Sequence, residues 1–296
     1  MIRLKRIACI FCTIISACTV LSACVNQHPE ESNVKTDADN AKLVATSPAV
    51  ADIMDRLNLD LVGVCSSTLS EIPERYEEAV QIGTAMSPDI EIIKTLSPDY
   101  VLSPSSLQED LQPKYEAAGI NSIFLNLKSV DGMYKSIEQL GEKFNREKEA
   151  QVLIDEYESF MSEYKKDIEG KAHPLVLILM GLPGSYIVAT ENSYAGSLVK
   201  LAGGINVYQG ETDEFITANT EDMKSKDPDI IVRCAHAMPE DVVEMFKEEF
   251  TTNDIWKHFK AVQENKVYDL SYDKFGMSAK FNYPEALEEL QGILYE

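Results

Sequence analysis

Basic residues are scarce in this sequence of 296 residues. It contains 27 Lys and Arg against 49 Asp and Glu, which gives a formal net charge of -22. Nucleic-acid binding relies on basic side chains that neutralise phosphates, so this charge argues against a nucleic-acid partner. Adsorption to an anionic lipid surface needs the same basic residues and is equally disfavoured.

Histidine is also scarce, and its distribution excludes one class of metal protein. The four histidines, His28, His173, His236 and His258, are scattered along the chain. A zinc or manganese importer protein would need a cluster of His and carboxylate ligands, which is not visible here. The sequence also shows no nucleophile elbow, phosphate-binding loop or zinc-protease motif, so an enzyme is not expected.

The longest apolar run, Ile7–Leu21, is shorter than the roughly 20 residues of a transmembrane helix. Three basic residues precede it, and it ends in Leu21-Ser22-Ala23-Cys24. This pattern is typical of a secretory signal and resembles a bacterial lipobox. We therefore expect a signal peptide over 1–23 and a lipid on Cys24. Residues 24–40 are polar and acidic, which favours a disordered tether that holds the protein at the outer membrane face.

The cysteines do not form a disulfide framework. Of the six, Cys9, Cys12 and Cys18 would leave with the signal and Cys24 would carry the lipid. Only Cys65 and Cys234 remain, and oxidising surroundings would permit one bridge between them. Whether they pair cannot be read from the sequence.

Two internal repeats divide the rest of the chain. Residues 91–102 and 221–232 both read as a helix end, a Pro-Asp turn and an apolar strand, and residues 44–57 match 188–201 in the same order. This favours a duplicated α/β unit with an N-terminal lobe over 41–129 and a C-terminal lobe over 169–296. Between them, 130–168 lacks proline and repeats apolar residues at helical spacing, which predicts one long helix that joins the lobes rigidly.

Each lobe is expected to contain a mostly parallel, Rossmann-like sheet, because short apolar runs alternate with helical stretches. The runs with the strongest strand pattern are Leu61–Val64, Tyr100–Leu102, Ser122–Leu125, Leu175–Met180 and Ile230–Val232. Ligands of such sheets bind beyond the carboxyl ends of the strands. The predicted binding site is therefore the cleft between the two lobes.

Two positions stand out as potential metal ligands by their place in this layout. His236 follows the strand Ile230–Val232 by a few residues, which puts it at the cleft, where either a ligand or a hydrogen-bonded loop histidine would fit. Met86 lies in a loop before Pro88 and not on a helix face, although most methionines simply fill apolar gaps. Met180 and Met238, also near strand ends, are its competitors.

Anion recognition in so acidic a chain would depend on helix N-termini, hydroxyl groups and a few cations. Thr46 and Ser47 precede one predicted helix, and a second is expected to open at Gly276–Ala279. Arg233 and Lys280 are the cations near these predicted strand and helix ends. We therefore nominate Thr46, Ser47, Arg233 and Lys280 as contacts for acidic groups of a ligand.

Several stretches resemble one family of binding proteins. Two lobes, a connecting helix and a lipobox look like a class III (cluster A-III) solute-binding protein of an ABC importer. The segments Ile82–Asp89, Leu177–Tyr186, His236–Glu240 and Asn253–Val262 are similar to those of IsdE-type haem-binding lipoproteins. This resemblance covers nearly the whole mature chain.

The resemblance implies a haem b held by Met86 from the first lobe and His236 from the second, with the propionates contacting the nominated residues. It further implies a protein anchored on the extracellular face of the cell membrane. Such a protein receives haem from a possible upstream surface donor and passes it to the permease and ATPase of the importer. The main alternative on the same scaffold is a siderophore or corrinoid binding protein.

Overall fold

The computed structural model describes residues 40–295. The predicted signal peptide, Cys24 and all of the tether except Asn40 therefore lie outside the described residues. Within residues 40–295, none of the helices combines the length and the apolar character that a membrane span requires.

The first half of the described chain alternates strands and helices. In chain order its elements are β1 (Leu43–Ala45), α1 (Pro48–Arg56), β2 (Leu61–Val64), β3 (Val80–Gln81), β4 (Gly83–Thr84), β5 (Ser87–Pro88), α2 (Ile90–Leu96), β6 (Tyr100–Pro104), α3 (Gln108–Ala117) and β7 (Ser122–Leu125). Among the described residues, five of these strands form a parallel sheet in the order β3-β2-β1-β6-β7. Their carboxyl ends therefore lie along one edge, as predicted.

The second half contains the connecting helices and the second sheet. Its elements are α4 (Val130–Lys143), α5 (Glu147–Asp167), β8 (Leu175–Leu182), β9 (Ser185–Ala189), α6 (Tyr194–Leu201), β10 (Ile205–Asn206), β11 (Phe215–Thr217), α7 (Thr220–Ser225), β12 (Ile230–Ala235), α8 (Pro239–Thr252), α9 (Lys260–Gln263), β13 (Val267–Asp269) and α10 (Tyr283–Tyr295). All five strand runs predicted from the sequence are confirmed, two of them at the same boundaries.

The second sheet is only partly parallel. Among residues 169–295 its order is β11-β9-β8-β12-β13, and β10 also pairs with β8. The pairs of β12 with β8 and β13 are parallel, whereas β9 pairs antiparallel with both β8 and β11. The parallel core around β12 is the part that positions a ligand at its carboxyl end.

The prediction of a single helix over 130–168 is wrong. Helix α4 ends at Lys143, Asn145 adopts the left-handed conformation with φ 53°, and α5 begins at Glu147. The N–H of Arg146 bonds to the carbonyl of Gly141 at 2.8 Å, which completes a helix-ending turn of the Schellman type. Asn tolerates the left-handed conformation better than most residues, so it ends a helix without Gly or Pro.

Helices α4 and α5 fold back on one another as a hairpin. The rings of Tyr134 and Tyr157 stack with centroids 4.2 Å apart, and a Cβ added to Gly141 would lie 2.7 Å from Cβ of Ala150. Because Gly141 has no side chain, the two backbones can approach closely at the turn. The connection is therefore a short pair of packed helices and not an extended strut.

Helix α10 packs against this hairpin and connects it to the second sheet. The ring of Tyr283 lies 5.9 Å from Tyr157 and 5.6 Å from Phe160, and the hydroxyl of Tyr164 donates to the carbonyl of Leu287 at 3.0 Å. One buried core runs from strands of the first sheet through this aromatic group to strands of the second. The lobes therefore share packed apolar surface, which limits how freely they can rotate.

Candidate functional site

Met86 occupies the tip of a small hairpin beside the first sheet. Strands β4 and β5 pair antiparallel, and Ala85 and Met86 form the turn between them. The side chain of Met86 is 66% exposed. Its thioether is therefore accessible from solvent.

Backbone hydrogen bonds close the base of this hairpin and attach it to the sheet. The N–H of Asp89 donates to the carbonyl of Ile82 at 2.7 Å, and the N–H of Ser66, just after β2, donates to the carbonyl of Gly83 at 2.8 Å. Gly83 has φ 91°, and a Cβ there would lie 2.9 Å from the carbonyl oxygen of Ser87. Only glycine fits this position without strain, so the backbone presents Met86 in a fixed place.

His236 follows the last residue of β12. Its N–H donates to the carbonyl of Gly181 in β8 at 2.9 Å, which continues the parallel ladder by one residue. The side chain is half-buried, and this desolvation lowers the pKa of the imidazole from its usual 6.5. The ring is therefore neutral at pH 7, the form that coordinates iron.

The other histidines are placed differently. The Nδ1 atom of His173 lies 2.7 Å from the carbonyl oxygen of Gly203, before β8 begins. His258 is exposed in a short helical turn after α8. His28 lies outside the described residues. Among the described histidines, only His236 comes directly after a central parallel strand.

The two competing methionines are less suited to pair with His236. Met180 is 1% exposed within β8 and has no free surface. Met238 is 55% exposed but is only two residues beyond His236, a separation of at most about 7 Å along the chain. Two axial ligands would have to lie on opposite faces of a flat macrocycle. The segment 236–238 is too short to pass around the edge of such a ring.

Thr46 and Ser47 have internal roles, against their nomination as ligand contacts. Thr46 has no exposed surface, and its hydroxyl donates to the hydroxyl of Ser103 at 2.9 Å. Ser47 is 6% exposed and caps α1 by accepting the N–H of Val50 at 3.3 Å. Both side chains thus stabilise the start of α1, and neither is free to bind a ligand in this conformation.

The side chain of Arg233 is also engaged by other groups of the protein, against its nomination as a contact for a ligand. Its guanidinium forms a two-pronged ion pair with Asp269 at 2.7 and 2.6 Å and lies 4.8 Å from the ring centroid of Phe250. Only 10% of the side chain is exposed. Arg233 therefore joins β12 to β13 and packs on α8.

Lys280 lies in a groove between the two lobes. The predicted helix at Gly276–Ala279 is absent, because α10 begins only at Tyr283, so Lys280 belongs to a loop. Its ammonium donates to the hydroxyl of Ser70 in the first lobe at 3.2 Å and lies 3.8 Å from a carboxylate oxygen of Asp273. The groove, of about 620 Å³, is also lined by Pro48 and Ala49 of the first turn of α1.

The two cysteines are separate. Cys65 follows β2 and Cys234 is within β12, and in the described part of the chain both are free and buried. Burial raises the pKa of each thiol to about 12. Neither thiolate is available at neutral pH, so these residues act as small apolar side chains.

Met86 thus lies at a hairpin tip in the first lobe, His236 lies at the carboxyl end of β12 in the second, and Lys280 lines a groove between the lobes. Residues 40–295 contain no group of three or more His, Cys, Asp or Glu placed to hold a metal ion. Sequence reasoning missed Ser70, because a serine in a loop without a motif carries no signal of the cation that it contacts 210 residues away.

Comparison with known proteins gives consistent results. A family model described as periplasmic binding protein matches residues 43–273. The chain is 41% identical over 284 residues to the high-affinity haem uptake system protein IsdE of Staphylococcus aureus (strain bovine RF122 / ET3-1), covering 96% of both.

Two crystal structures show the same architecture. One is an ABC transporter substrate-binding protein from Listeria monocytogenes EGD-e, with a TM-score of 0.82 and 49% identity over 86% of this chain and 98% of that one. The other is S. aureus IsdE complexed with haem, with a TM-score of 0.82 and 43% identity over 86% of this chain and 99% of that one.

Proposed function

This chain belongs to the periplasmic binding protein family, with the class III α/β fold, and on that premise we propose that it binds haem and delivers it to an ABC importer. Solute-binding proteins carry their ligand and do not transform it. The similarity to the haem uptake protein IsdE extends along almost the entire chain, which supports haem as the solute.

The proposal is supported by the separate positions of Met86, at the tip of the β4–β5 hairpin in the first lobe, and His236, directly after β12 in the second. A neutral imidazole is a strong iron ligand and a thioether is a softer, weaker one. Together they fill both axial positions, which leaves no open site for oxygen chemistry and suits a carrier. One ligand comes from each lobe, so bound haem b would connect the two.

Lys280 is the residue best placed to contact a propionate. Its ammonium lines the interlobe groove, and its side chain is 23% exposed, more than those of Thr46, Ser47 and Arg233. A charge-assisted hydrogen bond to a carboxylate is shorter and stronger than one to a neutral oxygen. We therefore assign Lys280 to propionate binding and the other three residues to support of the fold.

The N-terminal sequence supports a lipid anchor at Cys24 and a position on the extracellular face of the cell membrane. There the protein would meet the permease and ATPase of its importer and an upstream haem donor. The surplus of 49 acidic over 27 basic residues implies that lipid, and not a basic surface, holds it at the membrane.

An absorbance titration of the purified protein tests the proposal. Adding haem should produce an intense Soret band that saturates at one equivalent, whereas cobalamin or a ferric siderophore should not compete for the site. Saturable binding of a corrinoid or siderophore with no haem complex would instead establish the alternative function.

A further inference from the structure

Lys280 makes a polar contact that joins the two lobes. It lies in the second lobe, between β13 and α10, and its ammonium donates to the hydroxyl of Ser70 in the first lobe at 3.2 Å. The same ammonium lies 3.4 Å from the carbonyl oxygen of Asp273. The hydrogen bond to Ser70 therefore orients the side chain of Lys280 toward the first lobe.

The loop that carries Ser70 is connected to the Met86 hairpin. The hydroxyl of Ser67 accepts the N–H groups of Leu69 and Ser70 at 3.3 and 3.1 Å, which tightens the loop into a turn. At its start, the N–H of Ser66 bonds to the carbonyl of Gly83 in β4. The short segment 66–70 therefore links the proposed thioether ligand to the proposed propionate contact.

The charges around Lys280 bear on whether a ligand carboxylate can replace Ser70 as its partner. Among the described residues, the groove is lined by one lysine and five carboxylates: Asp52, Asp55, Glu71, Glu74 and Asp273. These acids repel a porphyrin carboxylate, and Lys280, whose ammonium also lies 3.8 Å from a carboxylate oxygen of Asp273, is the one cation lining the described groove that attracts it. A carboxylate is a stronger acceptor for an ammonium than the neutral hydroxyl of Ser70, so exchange between them is favourable.

We propose that Ser70 is a specificity-determining residue that holds Lys280 in the ligand-free protein and gives it up to a carboxylate of the bound porphyrin. This inference rests on the proposed haem-binding function. A macrocycle with free carboxylates replaces the hydroxyl of Ser70 as the partner of Lys280. A macrocycle whose carboxylates are esterified leaves the contact between Ser70 and Lys280 in place.

The test compares haem with haem dimethyl ester, both presented in the same dilute detergent, by absorbance titration of the full chain. Ser70→Ala removes the competing acceptor and should raise haem affinity about three- to tenfold, the usual scale of one hydrogen bond, while affinity for the ester is unchanged. Lys280→Gln should lower affinity for haem but not for the ester. Ser70→Thr keeps the hydroxyl and should behave as the wild type.

Glu214→Gln is the matched control. Glu214 forms another contact between the lobes, an ion pair with Lys128 at 2.6 Å, and neither residue lines the groove of Lys280. Its loss should leave the preference for haem over the ester unchanged. The exchange is overturned if Ser70→Ala changes neither affinity, or weakens haem and ester equally. A wild-type protein that forms no haem complex would instead contradict the proposed function itself.

Discussion

At the scale of single residues, the state of His236 decides whether iron can be bound. Burial keeps its imidazole neutral, and its position directly after β12 fixes the backbone that carries it. We predict that His236→Ala lowers haem affinity by more than about a hundredfold, beyond the 10- to 100-fold effect typical of residues that only support a ligand. Haem titration of the purified variants measures this.

His258→Ala provides the comparison, because His258 is exposed and does not follow the carboxyl end of a strand. That variant should bind haem as the wild type does. Equal retention of haem by both variants would mean that the iron ligand lies elsewhere.

Haem binding should be sensitive to acid because of the same residue, His236. A proton competes with iron for the imidazole, and burial lowers the pKa of His236 below 6.5. Haem affinity should therefore decline mainly below pH 6.5, where the imidazole becomes charged. Titrations on both sides of this pH test the sign: a decline that begins above pH 7 would indicate a raised pKa or a different ligand.

Whether the sequence predicts the role of a residue depends on how far along the chain its contact partners lie. The position of His236 after a predicted strand marks it as a candidate, which is a local property, whereas Met86 is preferred over Met180 and Met238 only through the family resemblance. The roles of Thr46 and Arg233 were not foreseen, because their partners Ser103 and Asp269 are 57 and 36 residues away. Such partners become visible only when the strands that carry them are paired.

At the scale of elements, the β4–β5 hairpin determines where Met86 lies. Gly83→Ala would force φ 91° on a residue with a side chain and bring its Cβ to 2.9 Å from the carbonyl of Ser87. We expect a cost of about 1–3 kcal/mol and a displaced hairpin. The haem spectrum should then change while binding through His236 persists.

Gly119→Ala separates strain from displacement. Gly119 also has a positive φ, 70°, but no atom lies within 4 Å of the added Cβ. This variant should lose some stability and keep the wild-type haem spectrum. An unaltered spectrum in Gly83→Ala would show that the hairpin does not position an iron ligand.

The elements themselves are predictable wherever apolar runs are short and bounded by turns, as for Leu61–Val64 and Ser122–Leu125. The break between α4 and α5 was not, because no proline marks it. Asn145 ends α4 through its backbone conformation, and the close approach of Gly141 to Ala150 depends on the tertiary fold. Neither feature leaves a periodic pattern in the sequence.

At the scale of the whole molecule, packing and not a single helix limits lobe motion. The α4–α5 hairpin, the ring of Tyr283 and a shared buried core connect the lobes. Haem binding should therefore change the lobe angle only slightly. Solution scattering should give superimposable curves for the ligand-free and haem-loaded protein, with a radius of gyration of about 18 Å for the folded part. A clear contraction on adding haem would show a hinge that this packing does not allow.

The central claim is that one iron ligand comes from each lobe, Met86 from the first and His236 from the second. A bond between ferric haem iron and a thioether gives a weak far-red charge-transfer band, which can be recorded for the wild type, Met86→Ala and Met238→Ala. We predict that the band is present in the wild type and in Met238→Ala and is lost in Met86→Ala, while haem remains bound through His236. A band that survives in Met86→Ala, or disappears in Met238→Ala, would contradict it.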